Sequence, residues 1–181
     1  MKKKIKFTFF KSLRFRIMVI LVIIGIVPSF IVKNVVVNSY ETRAVSIREV
    51  NLKNQCDILG NQLMKENYLR EPDSDVINGE LSMLSAIYNG RILIINKDAK
   101  IIKDTYDIDV GKYALSEEVI QCFEGKSTAN YDDKNAYIEM TSPITKMDSN
   151  TIEGVMLVSI STSEIEDSID MLENRGNLLL S

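Results

Sequence analysis

No histidine occurs among the 181 residues, and no acidic residue precedes Glu41. The first absence excludes Ser-His-Asp catalysis and the metal triads that depend on imidazole. Two cysteines, Cys56 and Cys122, are too few for a metal framework. One disulfide and two buried free thiols both remain open to them. There is no Gly-rich nucleotide loop. Carboxylate pairs such as Asp107/Asp109 and Asp132/Asp133 fall in turns, where solvated acids are the ordinary outcome, and nothing holds two carboxyls across a cleft as a glycosidase needs. Catalysis has no constellation to work with.

The second absence shapes the N-terminus. Lys2, Lys3, Lys4, Lys6, Lys11, Arg14 and Arg16 precede an uncharged, mostly apolar run from Ile17 to Val32. That run extends through Asn34-Val35-Val36-Val37, reaching the roughly 17–25 residues a membrane helix requires. Gly25 and Pro28 are tolerated in such helices. A cleaved signal peptide is the rival reading, but Ser29-Phe30-Ile31-Val32-Lys33 is bulky and offers no small-x-small cleavage site. A buried soluble helix fits poorly with seven flanking cations. Because cytoplasmic flanks keep Lys and Arg, the N-terminus is expected inside and the rest of the chain exported. The expected division is a cytoplasmic basic segment (1–16), a transmembrane helix (17–37) and an extracytoplasmic domain (38–175).

Beyond residue 33 lie 14 basic and all 25 acidic residues, a net charge of −11. That balance argues against nucleic acid, which rewards basic patches, and keeps the domain off anionic headgroups. About 150 residues suffice for one core.

From Asn34 to Tyr68 there is one Gly and no Pro. Val45, Leu52, Cys56, Leu59 and Leu63 fall on one stripe of an amphipathic helix, which can cover the domain core or meet a second copy. Glu71-Pro72-Asp73-Ser74-Asp75 breaks it, and Val76–Ala86 reads as weak helix or loop. Arg91–Asn96 is the continuous β-branched pattern of a doubly covered strand. A polar turn, Lys97–Lys100, leads to a second strand, Ile101–Thr105, and an acidic loop runs from Tyr106 to Gly111. Ser116 is placed to cap a short helix, Glu117–Glu124, closed by Gly125. Ser127–Tyr131, Ala136–Ile144 and Ile152–Ile160 are three further strands, making five in a single meander-like order interrupted by the short helix. A helix runs from Ser163 to Asn174. The fold class expected is α+β.

This order resembles the extracytoplasmic PAS-like (Cache-type) sensor domains of bacterial sensor histidine kinases in two-component systems. Ile92–Thr105 corresponds to that family's apolar hairpin, with Ala99-Lys100 standing where Gly is common. Val119–Lys126 resembles its short helix ending in Gly. Thr141–Ile144 and Ile152–Ser159 resemble its last two strands. The resemblance implies a PAS-like antiparallel sheet of about five strands, a C-terminal exit helix and a homodimer in the cell membrane. It implies sensing of a small-molecule or protein stimulus. Leu178-Leu179-Leu180, within 176–181, is then the start of a truncated second span. The kinase core is absent here, since this chain has no phosphoacceptor His, and no cofactor is expected. A chemoreceptor or diguanylate cyclase sensor is an alternative, as is a bitopic envelope scaffold.

The resemblance also points to a ligand pocket between sheet and loops, with Arg91, Tyr106, Tyr131, Tyr137, Glu139 and Thr141 as candidates. Arg91 could fork onto a carboxylate, and the tyrosines could supply walls and hydroxyls. Independently, the spacing of Asp104, Asp107 and Asp109 makes a weak candidate for Ca²⁺ or Mg²⁺.

Overall fold

The computed structural model describes residues 13–146 and 148–180, without the side chains of Ser29, Lys33 and 172–180. Residues 1–12 of the basic segment, Met147 in the last turn and Ser181 therefore lie outside the described residues, as do the side chains of the leucine run.

Helix α1 runs unbroken from Leu13 to Lys65, through Pro28. Its N-terminal stretch is long and apolar enough to cross a membrane, and none of that stretch is buried. Two compact units divide the chain, Met1–Thr42 with Ile169–Ser181 in one and Arg43–Ser168 in the other. In the second unit the stripe read from the sequence is the buried face of α1, with Leu52, Cys56 and Leu63 at most 1% exposed.

Helix α2 spans Asp75–Ile87, where the sequence suggested only weak helix or loop. The Ser74 hydroxyl accepts from the Ile77 N–H at 3.5 Å and so caps its start. Ile77, Leu81 and Leu84 form its buried stripe. Tyr68 anchors it by donating to Asn78 Oδ1 at 2.6 Å.

The strands are β1 (Gly90–Asn96), β2 (Ile101–Asp104), β3 (Ala129–Asp132), β4 (Tyr137–Thr145) and β5 (Ile152–Ser161). Helix α3 (Glu117–Phe123) lies between β2 and β3, and α4 (Ser163–Leu180) follows β5. The fold is α+β, with one antiparallel sheet in the order β2-β1-β5-β4-β3. A single meander is thus corrected to two pieces. The β1–β2 hairpin and the β3–β4–β5 meander join where the last strand docks on the first. Ala99 takes a left-handed φ of 57° in the β1–β2 turn, the conformation for which Gly is the usual residue. Ser116 stands at the α3 cap position, but its side chain makes no capping bond.

Residues paired across antiparallel strands share a face. Ile92, Ile94, Met156, Val158, Ile160, Ile138 and Met140 line one face. Helix α1 is tied to it where Ser142 Oγ donates to Asp57 Oδ1 at 3.4 Å. The other face carries Leu93, Ile95 and Val155, which form a core with Ile101 and with Val119 and Cys122 of α3. Cys56 therefore belongs to a different layer from Cys122, and both thiols are free and buried. Gly90 and Gly154 permit close strand contact. A Cβ on Gly154 would stand 2.6 Å from the Ile95 carbonyl oxygen.

Candidate functional site

The α3 face is covered only in part. Past the core, the register aligns Arg91 with Ser159, Ser159 with Glu139, and Glu139 with Asn130, a polar row across four strands. Half-buried Arg91, Ser159 and Glu139 and exposed Asn130 floor this part of the sheet.

At the β1 end the row is closed by a clasp. Arg91 Nε donates to Asp104 Oδ1 at 3.0 Å, and its Nη2 donates to Asp104 Oδ2 and Asp109 Oδ2, both at 2.6 Å. Asp104 is fully buried. It also accepts from the N–H groups of Tyr106, Ile108 and Asp109, each at 2.9 Å, and so shapes the acidic loop around itself. Burial pushes this carboxyl up. Arg91 and the three N–H groups outweigh that and hold it well below the usual carboxylate range. The Asp104 hydrogen bond raises Arg91 above its ordinary value, against burial and with help from Asp109. Lys112 and then Arg91 hold Asp109 low.

The Arg91 fork, read from the resemblance as free for a ligand, thus holds two carboxylates of its own chain. Tyr106 sits on the clasped loop with half its surface exposed. The three candidate cation ligands are already ion-paired within the chain, Asp104 and Asp109 with Arg91 of the clasp and Asp107 with Lys103 at 3.5 Å. Among the described residues no group of three or more acidic or thiol side chains is arranged to hold a metal.

At the β3–β4 end the row opens into a groove of about 440 Å³, lined by Glu118, Asn130, Tyr131, Asp132, Asp133, Lys134, Tyr137 and Glu139. Three candidates, Tyr131, Tyr137 and Glu139, line it because one hairpin carries them all, although the register sets Tyr131 opposite Ile138 and so on the other face from Tyr137 and Glu139. Its turn is built on Asp132, which accepts from the Lys134 and Asn135 N–H groups at 2.9 and 3.0 Å and from Asn135 Nδ2 at 2.8 Å. Asn135, through side chain and backbone, holds Asp132 below its ordinary value. Glu139 accepts from Ser159 Oγ at 3.3 Å. Carboxylates against phenol rings suit a ligand that offers donors or positive charge. Thr141 lies elsewhere, buried and hydrogen-bonded to the Thr128 N–H and hydroxyl at 2.9 Å.

Sequence reasoning missed Glu118, Asn130 and Lys134 as groove residues. The hairpin register would have found Asn130, which pairs with Glu139. A larger hollow of about 530 Å³ lies at the far end of α1, between Met64, Arg70, Lys97, Lys146 and Glu153 among others, and holds none of the candidates.

No family model matches the chain, and no curated protein matches it. Two of the solved structures similar to it are sensory domains. One is the ligand-binding domain of the Campylobacter jejuni chemoreceptor Tlp3 in complex with L-valine; the other is the sensory domain of Tlp3 from the same organism with isoleucine bound. Each shares 14% identity and a TM-score of 0.47 over 74% of this chain, and 60% and 59% of their own lengths are covered. This chain therefore spans less than two thirds of either. Similarity of that degree carries no functional argument.

Proposed function

We propose that the chain is the signal-perceiving part of a transmembrane sensor histidine kinase, with its kinase core beyond residue 181. Residues 1–16 are cytoplasmic, 17–37 span the membrane, 38–175 form the extracytoplasmic sensor, and 176–181 begin the return span. The receptor works as a homodimer. The observation that carries this reading is α1 itself, one helix that contains the uncharged, mostly apolar run Ile17–Val32 and whose later part supplies a buried stripe beneath a sheet.

The stimulus is a small molecule held in the groove by Tyr137 and Glu139 of β4, with Tyr131 of β3 at its edge. Glu139 is hydrogen-bonded to β5, and β5 leads without a loop into α4. A ligand that prefers one packing of these elements shifts the population toward it, by no more than its difference in affinity for the two. No cofactor takes part.

The test uses membranes containing the complete gene product, incubated with ATP labelled at the γ-phosphate. Acid-labile, alkali-stable label on the protein supports a histidine kinase, and no label refutes it. For sensing, a receptor lacking 163–174 should bind ligand and fail to respond. A normal response from it would overturn the mechanism.

A further inference from the structure

Two hydroxyls stand one residue apart at the start of α4, and only one of them caps it. Ser161 Oγ accepts from the Ser163 N–H at 3.2 Å and shares a hydrogen bond with Ser163 Oγ at 2.9 Å. Thr162 is fully buried. Its N–H donates to the Ala136 carbonyl at 2.7 Å, and its carbonyl accepts from Ile165 and Glu166 at 2.9 and 3.2 Å. Its Oγ1 has no partner. A buried hydroxyl in that position has given up water and received nothing in exchange.

One other buried side-chain polar atom among the described residues lacks a partner, Arg48 Nε. It belongs to the same junction. Arg48 Nη1 donates to Glu164 in the first turn of α4 at 3.1 Å, and its guanidinium lies 5.6 Å from the centre of the Tyr88 ring. Both unsatisfied groups therefore bear on where α4 begins.

Thr162 occupies the position before the first helical residue, Ser163. A hydroxyl there ordinarily accepts from the N–H of the second or third helical residue, here Glu164 or Ile165. We propose that the start of α4 is a two-state joint. Ser161 caps in the state described, and Thr162 takes the cap in the other. Ser161 is fixed by its register opposite Tyr137, and Thr162 already stands before the first helical residue, so the change is a rotation of the Thr162 side chain onto the first-turn N–H groups. The joint rests on the reading of α4 as the sensor's output, and it gives the start of that helix two alternative caps.

The experiment is hydrogen exchange at the first-turn amides of α4, in the whole chain reconstituted in neutral-lipid nanodiscs. No ligand and no kinase are needed, so failure here would leave the sensor reading untouched. Thr162→Val should exchange no faster than the parent, because it removes an idle hydroxyl and keeps the shape. Ser161→Ala should accelerate exchange less than about twofold, because Thr162 takes over. The double variant should accelerate it about fivefold, the size of one lost cap. Ser161→Ala with Thr162→Ser should return to the single-variant rate. A double variant no faster than Ser161→Ala overturns the joint. If the double variant fails to fold, judged by its β5 amides, Ser161→Ala decides alone: a small acceleration supports the joint, and about fivefold overturns it.

Discussion

Replacing Asp104 by Asn keeps the side chain's shape and removes the charge on which five donors converge. Arg91 Nε and the Tyr106 N–H reach Oδ1, while Arg91 Nη2 and the N–H groups of Ile108 and Asp109 reach Oδ2. Asn has one acceptor oxygen, so at least two donors must face an NH₂ group. The better orientation leaves Arg91 Nε and the Tyr106 N–H unmatched. An unsatisfied buried donor costs about 1–3 kcal/mol. The Arg91 side chain is 27% exposed and regains some water, which tempers its share. A loss of about 3 kcal/mol follows, or a fall in Tm of roughly 10 °C for a domain of this size. Thermal unfolding of the whole chain in detergent, followed by near-UV circular dichroism, reads it. A loss under about 1 kcal/mol would refute the clasp. So would additivity of Asp104→Asn with Arg91→Met, since coupled partners must depart from it. The same group sets a pH signature. Its folded pKa is depressed, so its stabilisation is complete above the ordinary carboxylate pKa of about 4 and is lost as pH falls through the lower folded value. Below about pH 4 the parent should therefore lose stability more steeply than Asp104→Asn.

Three further outcomes follow from the same geometry. Gly154→Ala places a methyl 2.6 Å from the Ile95 carbonyl oxygen and 3.2 Å from Leu69, and should lower the urea midpoint by about 1–3 kcal/mol equivalent; an unchanged midpoint would show that the strands can part there. Burial, with the nearby Asp57 charge, pushes the Cys56 thiol up to about 12, and burial raises Cys122 as well. Thiol reagents at pH 8 should label neither in the folded chain and both in denaturant, and stoichiometric native labelling would contradict the packing. Glu139→Gln with Tyr137→Phe should leave Tm within about 2 °C while abolishing the thermal shift given by any ligand of the groove, and a retained shift would place the ligand elsewhere.

The elements were legible where one periodicity dominated. Val45, Leu52, Cys56, Leu59 and Leu63 announce a buried helix face, and the strand ends fall within about two residues of their expected places. Helix α2 was underread because Gly79 and the preceding Pro72 weaken its local signal, although Ser74 and the spacing of Ile77, Leu81 and Leu84 carry it. Strand order was not legible. Ile92–Ile95 and Val155–Val158 are apolar on both faces, and such runs say that a strand is central without saying beside which other. The site divided in the same way. Tyr131, Tyr137 and Glu139 share a hairpin, so proximity in sequence brings all three to one groove, although the register sets Tyr131 off the face that Tyr137 and Glu139 share. A lone Arg91 does not reveal whose carboxylate it holds until β1 and β2 are laid side by side with Asp104 on the same face.

The pairing of β1 with β5 also has a consequence in time. Synthesis delivers α1 and the β1–β2 hairpin early, and a helix or hairpin forms in microseconds once its residues are free. The strand between the two halves of the sheet is the last of the five to be made. Until Ile152–Ser161 emerges, Gly90–Asn96 presents an apolar edge with open backbone groups, the kind of surface that recruits wrong partners. Each newly made molecule thus passes through a period in which its own missing strand is its only safe neighbour. A chaperone that shields extended apolar segments should be found on chains arrested before residue 152 and be released from those extended past residue 161.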